Sequence, residues 1–95
     1  MTWTELAQNI ASKVAARVSR YNSGVLLFRL VLDDGRFSAE LAQWSVDTQN
    51  PVLAQQMTMQ RISTALCYRH GSYRGTVRVF AGNRAIYSQW IKIDE

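Results

Sequence analysis

The sequence predicts an α+β domain with the element order αββαββ and a four-stranded antiparallel sheet that packs both helices on one face. Two apolar runs flank Asp34-Gly35, two more flank Gly82-Asn83, and a helix pattern precedes each pair. Such dipeptides between apolar runs are strong hairpin signals, because tight hairpin turns need positive φ angles. The chain of 95 residues fits a single domain, 1–95.

The first helix is predicted to begin after Thr2, because Thr2 and Glu5 have the spacing of a capping box. Apolar residues then recur every three or four positions, which indicates one buried stripe. The stripe comprises Trp3, Leu6, Ala7, Ile10, Val14, Val18 and Tyr21. Lys13, Arg17 and Arg20 lie away from it, either as a solvated face or as a ridge that contacts anions.

The first hairpin is predicted to use Asp34 and Gly35 as its two loop residues, which places Arg29 opposite Glu40 as a cross-strand charge pair. Side chains alternate along a strand, so the hairpin has two faces. The face assigned to the core comprises Leu26, Phe28, Leu30, Leu32, Phe37, Ala39 and Leu41. The outer face is also largely apolar and comprises Val25, Leu27, Arg29, Val31, Ser38, Glu40, Ala42, Trp44 and Val46.

This apolar outer face is the first candidate site. Soluble monomers seldom expose apolar patches larger than a few hundred Å². The predicted partner-binding residues are Val25, Leu27, Arg29, Val31, Glu40, Trp44 and Val46. The alternative is a β-bulge near Gln43 that turns Trp44 inward, or a terminal segment folded across the face.

The second helix is predicted to run from Pro51 to Leu66 or Tyr68, with Asn50 as its cap and Pro51 at the first helical position. Its pattern is less regular than that of the first helix. The predicted buried stripe comprises Val52, Leu53, Met59, Ile62, Ala65 and Leu66.

The second hairpin is predicted to turn at Gly82-Asn83, which pairs Arg78 with Tyr87 and Val79 with Ile86. Two apolar sets compete for its inward face. One set comprises Val77, Val79, Ile86 and Trp90, and the other comprises Phe80, Tyr87, Ile91 and Ile93.

The two halves of the chain match each other at an offset of 47 residues. The matches are Leu6-Ala7-Gln8 with Leu53-Ala54-Gln55, Tyr21 with Tyr68, Gly24 with Gly71, and Gly35 with Gly82. They fall at equivalent elements, which predicts two αββ repeats related by a pseudo-twofold axis.

A basic, tyrosine-containing segment is the second candidate site. The net charge is +4, and nine of the 11 basic residues are arginine, which favours planar, bidentate contacts. Interleaved arginine and aromatic side chains can contact phosphates and stack on bases. The predicted anion-binding residues are Arg61, Arg69, His70, Tyr73, Arg74, Arg78 and Arg84.

Catalytic chemistry has little support in the sequence. Cys67 and His70 are the only residues of their kinds, so they supply two possible zinc ligands where about four are needed, and any Ser-His-Asp or Cys-His site would have to use His70. The sequence therefore predicts a non-enzymatic interaction or adaptor module without metal, cofactor or small-molecule substrate. Its predicted partner is a protein or a second copy of the chain, bound through the outer face or an edge strand. Binding of nucleic acid or another polyanion by the basic segment is the alternative.

The predicted location is the cytoplasm. Cys67 has no partner for an internal disulfide, and the first residues lack the pattern of a secretion signal. No apolar run approaches the ~20 residues of a membrane span, so no membrane association is expected.

Overall fold

The computed structural model describes residues 1–95 and confirms the α+β class, with two helices and one four-stranded antiparallel sheet. The elements are α1 (Trp3–Val18), β1 (Val25–Asp33), β2 (Ser38–Asp47), α2 (Pro51–Cys67), β3 (Tyr73–Ala81) and β4 (Arg84–Ile93). The strand order is β2-β1-β3-β4, so the two hairpins meet along β1 and β3. Neither helix has the length and apolar character that crossing a membrane requires.

Helix α1 forms as the sequence predicts. The Thr2 hydroxyl accepts a hydrogen bond of 3.1 Å from the Glu5 amide, which caps the first turn. The predicted stripe is buried along the helix and is widened by Ala11 and Ala15. Tyr21 lies beyond the last helical residue, so it does not belong to the stripe.

Helix α2 buries Ile62 and Leu66 as predicted, but the rest of its buried face differs from the predicted stripe. Its buried residues recur every four positions and are Ala54, Thr58, Ile62 and Leu66. Val52, Leu53 and Met59 are exposed, so their assignment to the core is wrong. The small Thr58 faces inward because a large side chain meets it there: the Trp44 indole donates a hydrogen bond of 3.2 Å to its hydroxyl.

The first hairpin turns one residue later than predicted. The Asp34 amide donates to the Phe37 carbonyl at 3.2 Å, and strand pairing begins with Asp33 opposite Ser38. The Asp34 carboxylate accepts hydrogen bonds of 2.8 Å from the amides of Arg36 and Phe37. These bonds satisfy the turn's backbone donors, as short acidic side chains often do. Phe37 is consequently exposed, and its assignment to the core is wrong.

A β-bulge then reverses the two faces of β2. Leu30 pairs with Ala42 while Val31 pairs with Glu40, which leaves Leu41 as the extra residue. Because side chains alternate with a period of two, one extra residue moves every later side chain to the opposite face. The alternative of a bulge in this strand is therefore the one that forms, close to its predicted place.

The bulge places Trp44 and Val46 in the core, so their assignment to the outer face is wrong. Trp44 is 3% exposed and stacks on Phe28 with ring centroids 5.8 Å apart. Arg29 pairs with Gln43 rather than directly with Glu40. The two charges still form an exposed ion pair of 3.8 Å across the bulge.

The second hairpin turns at Gly82-Asn83 as predicted, but it also contains a bulge. Phe80 pairs with Ala85 and Val79 pairs with Tyr87, so Ile86 is the extra residue. The predicted pairs of Arg78 with Tyr87 and of Val79 with Ile86 are therefore wrong. The buried face draws on both predicted apolar sets, and its apolar residues are Val77, Val79, Ala81, Tyr87, Ile91 and Ile93.

The core is one cluster of 21 buried residues from both helices and all four strands. The buried strand residues share one face of the sheet, which includes Phe28, Leu30 and Val79. We call the opposite face the outer face. Arg29, Arg78 and Trp90 lie on it.

The first turn makes stability depend on pH. The hydrogen bond from the Gly35 amide, and to a smaller extent the one from the Arg78 side chain, hold the pKa of Asp33 below the ordinary value of an aspartate. Hydrogen bonds from the amides of Phe37 and Arg36 lower the pKa of Asp34 in the same way. A carboxylate with a lowered folded-state pKa stabilises the fold above its unfolded pKa, and this contribution is lost as pH falls through the folded value. We therefore expect the urea midpoint to fall as the pH is lowered from about 5 through the folded-state pKa values of these two carboxyl groups.

The matched variants separate the turn from general acid unfolding. The Asp33→Asn, Asp34→Asn double variant is expected to show a smaller fall, because its turn side chains do not titrate. Asp94→Asn, which removes a carboxylate outside the turn, is expected to follow the wild type. Equal falls in the double variant and the wild type would contradict a role for the turn.

Candidate anion-binding sites

The predicted basic segment does not form one site. Arg69 lies over the Trp3 ring at 5.1 Å, and Tyr73 packs against the same ring at 5.8 Å. Burial raises the pKa of the Tyr73 hydroxyl, with Asp34 and Asp33 adding to the shift. Arg69 and Tyr73 therefore cover the start of α1 rather than face an open surface.

The remaining members of that segment are dispersed. The loop that carries His70 is held at Gly71, whose carbonyl accepts a hydrogen bond of 2.8 Å from the Trp3 indole and whose amide donates to the Glu95 carboxylate. Arg61 is exposed on α2, and Arg78 forms a 2.9 Å ion pair with Asp33 on the outer face. Arg74 and Arg84 are exposed near opposite ends of the second hairpin.

The predicted partner-binding residues are also divided. Trp44 and Val46 are buried, whereas the other five lie on the outer face. Arg29 bridges this set to the second hairpin, because its guanidinium lies 4.9 Å from the Phe80 ring centroid. The outer face is therefore a mixture of apolar groups and paired charges rather than a continuous apolar patch.

Three arginines line a cleft of about 360 Å³ between the end of α1 and the start of β4. Its lining residues are Arg17, Arg20, Tyr21, Arg84, Ala85 and Ile86, and we call it the arginine cleft. No carboxylate lines it, and none of the three arginines forms an ion pair. The cleft therefore presents uncompensated guanidinium groups in one place.

The β4 bulge helps to fix one of these arginines. Arg17 donates a hydrogen bond to the carbonyl of Ile86, the extra residue of the edge strand. Its guanidinium also lies 5.1 Å from the Tyr87 ring centroid. Burial raises the pKa of the Tyr87 hydroxyl, and the positive charge of Arg17 opposes that shift. Arg17 is thus anchored to β4, while Arg20 and Arg84 are exposed beside it.

A second basic cluster lies on the outer face. Arg74 pairs directly with Lys92, and Thr76 pairs with Trp90 one step along the same face. Trp90 borders a depression of about 230 Å³. The depression is lined by Asp33, Asp34, Gly35, Gly75, Thr76, Arg78 and Trp90.

Sequence reasoning identified the arginines of the cleft but did not bring them together. Arg17 and Arg20 belonged to the predicted ridge, and Arg84 belonged to the basic segment. No three His, Cys, Asp or Glu side chains come close enough together to hold a metal ion. Comparisons with protein-family models, with curated proteins and with solved structures found no match to this chain.

Proposed function

We propose that this protein is a non-enzymatic module that binds nucleic acid through its phosphates at the arginine cleft. The observation that carries the proposal is the meeting of Arg17, Arg20 and Arg84, from two distant elements, without a carboxylate among them. Guanidinium groups bind phosphate oxygens through paired, charge-assisted hydrogen bonds. Like charges held together without a carboxylate to neutralise them favour an external anion.

We further infer that the chain consists of two αββ units related by a pseudo-twofold axis, with both helices on one face of the sheet. The four residues with positive φ support this, because Gly24 and Gly35 recur 47 positions later as Gly71 and Gly82. The central register also supports it. Leu30 pairs with Val79 and Leu32 with Val77, and a shift of 47 exchanges these two pairs.

This repeat provides an internal comparison for the arginine cleft. The positions equivalent to Arg17, Arg20 and Arg84 are Thr64, Cys67 and Phe37. The last turn of α2 contains no basic residue, whereas that of α1 contains Arg17. A cation near a helix C-terminus is favoured by the helix dipole, but the second unit forms its helix without one. The second unit therefore folds without basic residues at these three positions, which supports a ligand-binding role for Arg20 and Arg84.

Self-association through the outer face has less support. Its predicted surface depended on Trp44 and Val46, which are buried. Pairing through β4 would compete with Arg17 for the carbonyl of Ile86 on that edge. Light scattering that finds a dimer at micromolar concentration would favour self-association.

The proposal is tested by fluorescence anisotropy with a labelled single-stranded oligonucleotide. We expect binding at about 50 mM salt, with the logarithm of the association constant falling linearly as the logarithm of salt rises. The three phosphate contacts at the cleft are expected to contribute about −2 to that slope for a single strand. The absence of any binding at that salt concentration would reject the proposal.

A further inference from the structure

We propose that the outer face binds one unpaired base of a single-stranded nucleic acid, stacked on Trp90. This inference rests on the proposed nucleic-acid function and specifies the strand form that is bound. Its three supports are the exposure of Trp90, the cations beside it, and the chemistry of the depression that it borders.

Trp90 is the only tryptophan that the fold leaves open. It is 63% exposed, whereas Trp3 and Trp44 are 2% and 3% exposed. An exposed indole forgoes the large apolar burial that usually places tryptophan in a core. Its flat ring is instead available for stacking, the contact by which proteins hold unpaired bases irrespective of sequence.

The cations beside Trp90 suit the phosphates on either side of such a base. Arg74 lies directly opposite Lys92, and like charges in that position are destabilising. Asp94 lies 3.9 Å from the Lys92 ammonium, but both side chains are exposed, so this pair contributes little. A phosphate between Arg74 and Lys92 would relieve their repulsion.

The depression itself suits a planar ring rather than a phosphate. Asp33 and Asp34 line it against one guanidinium, that of Arg78, which already binds Asp33 at 2.9 Å. Its excess of negative charge would repel a phosphate. Its volume of about 230 Å³ is below the range of about 300–1,000 Å³ for drug-sized ligands, so it suits a single ring system.

The surface has cations at Arg74 and Lys92 and an excess of negative charge in the depression. This arrangement indicates which class of partner binds, and whether a nucleic acid binds as a single strand or as a duplex. In a duplex the bases are stacked within the helix and cannot lie on an external indole, so an unpaired base is required. A cationic peptide would suit the two carboxylates, but Arg74 and Lys92 would repel it. Single-stranded nucleic acid is the ligand whose ring and phosphates match both parts of the surface.

Trp90 also provides the measurement, because its fluorescence reports contact with a base while the other two tryptophans are buried. We would titrate the protein with a single strand of about eight nucleotides, with an abasic strand of the same length and with the duplex form. The single strand is expected to quench the fluorescence and to bind about tenfold more tightly than the abasic strand.

Two variants make the test specific. Trp90→Ala is expected to reduce affinity for the single strand to that for the abasic strand, without changing affinity for the abasic strand. Tyr68→Ala, which removes another exposed aromatic ring, is expected to leave all three affinities unchanged.

The outcomes distinguish this inference from the proposed function. Equal affinity for the base-containing and abasic strands, without quenching, would overturn stacking on Trp90 and leave phosphate binding at the arginine cleft intact. The absence of binding to all three ligands at low salt would overturn both. Quenching by an arginine-rich peptide but not by any strand would assign the depression to a protein partner and overturn the inference.

Discussion

Replacing Trp44 with alanine is expected to lower the free energy of unfolding by about 3–5 kcal/mol, the usual cost of removing a large buried aromatic side chain. Trp44 is 3% exposed, stacks on Phe28 and donates to Thr58 on α2. The truncation therefore removes the buried indole, leaves a cavity between β2 and α2, and leaves the Thr58 hydroxyl without its donor.

Urea unfolding followed by circular dichroism measures this effect without depending on tryptophan fluorescence. Trp90→Ala is the matched control, because it removes the same side chain from an exposed position and is expected to change stability by about 0.5 kcal/mol or less. Trp44→Phe retains an aromatic ring but loses the hydrogen bond to Thr58, and an intermediate loss is expected. If Trp44→Ala left the free energy of unfolding almost unchanged, Trp44 could not be buried, and its original assignment to the outer face would be correct.

Local chemistry made much of the fold predictable. The cap at Thr2, the proline that opens α2 and the turn at Gly82-Asn83 each depend on residues within a few positions of one another. Gly82 has φ +61°, a conformation that a residue without a side chain adopts without strain. The fold class follows because these local signals fix the number and order of the elements.

The faces of the strands were not predictable in the same way. Both faces of the first hairpin contain apolar residues, so the sequence pattern looks similar whether Trp44 lies on one face or the other. The alternation of side chains therefore does not reveal the extra residue at Leu41. The bulge is stabilised by contacts that form only in the tertiary structure, namely Trp44 with Phe28 and with Thr58. The same contacts explain why α2 does not bury its most apolar residues. Val52 and Leu53 are more hydrophobic than Thr58, but Thr58 is the residue that packs against Trp44 and accepts its hydrogen bond.

The arginine cleft depends on contacts between residues that are even farther apart in the sequence. The hydrogen bond from Arg17 to Ile86 joins residues 69 positions apart, and the acceptor stands at a bulge. The sequence could therefore indicate that Arg17, Arg20 and Arg84 are available to anions. Their meeting requires the end of α1 to approach the start of β4, which no local pattern encodes.

The Arg20→Gln, Arg84→Gln double variant is expected to bind a single-stranded oligonucleotide about 100-fold more weakly at low salt. Hydrogen bonds to charged groups contribute about 1.5–3 kcal/mol each, and about 1.4 kcal/mol is a tenfold change in affinity. Both side chains are exposed, so the substitutions should leave the fold intact. Arg17 is less suitable, because its side chain also anchors α1 to β4.

The salt dependence identifies the lost contacts. Each phosphate contact contributes about −0.7 to the slope for a single strand, so the loss of two contacts should make the slope less steep by about 1.4. Arg61→Gln removes one positive charge from the exposed face of α2 and is expected to retain the wild-type slope. If Arg61→Gln weakened binding as much as Arg84→Gln alone, diffuse net charge would explain the affinity. If the double variant retained the wild-type slope, the phosphates would lie elsewhere on the surface, and the cleft would lose its role.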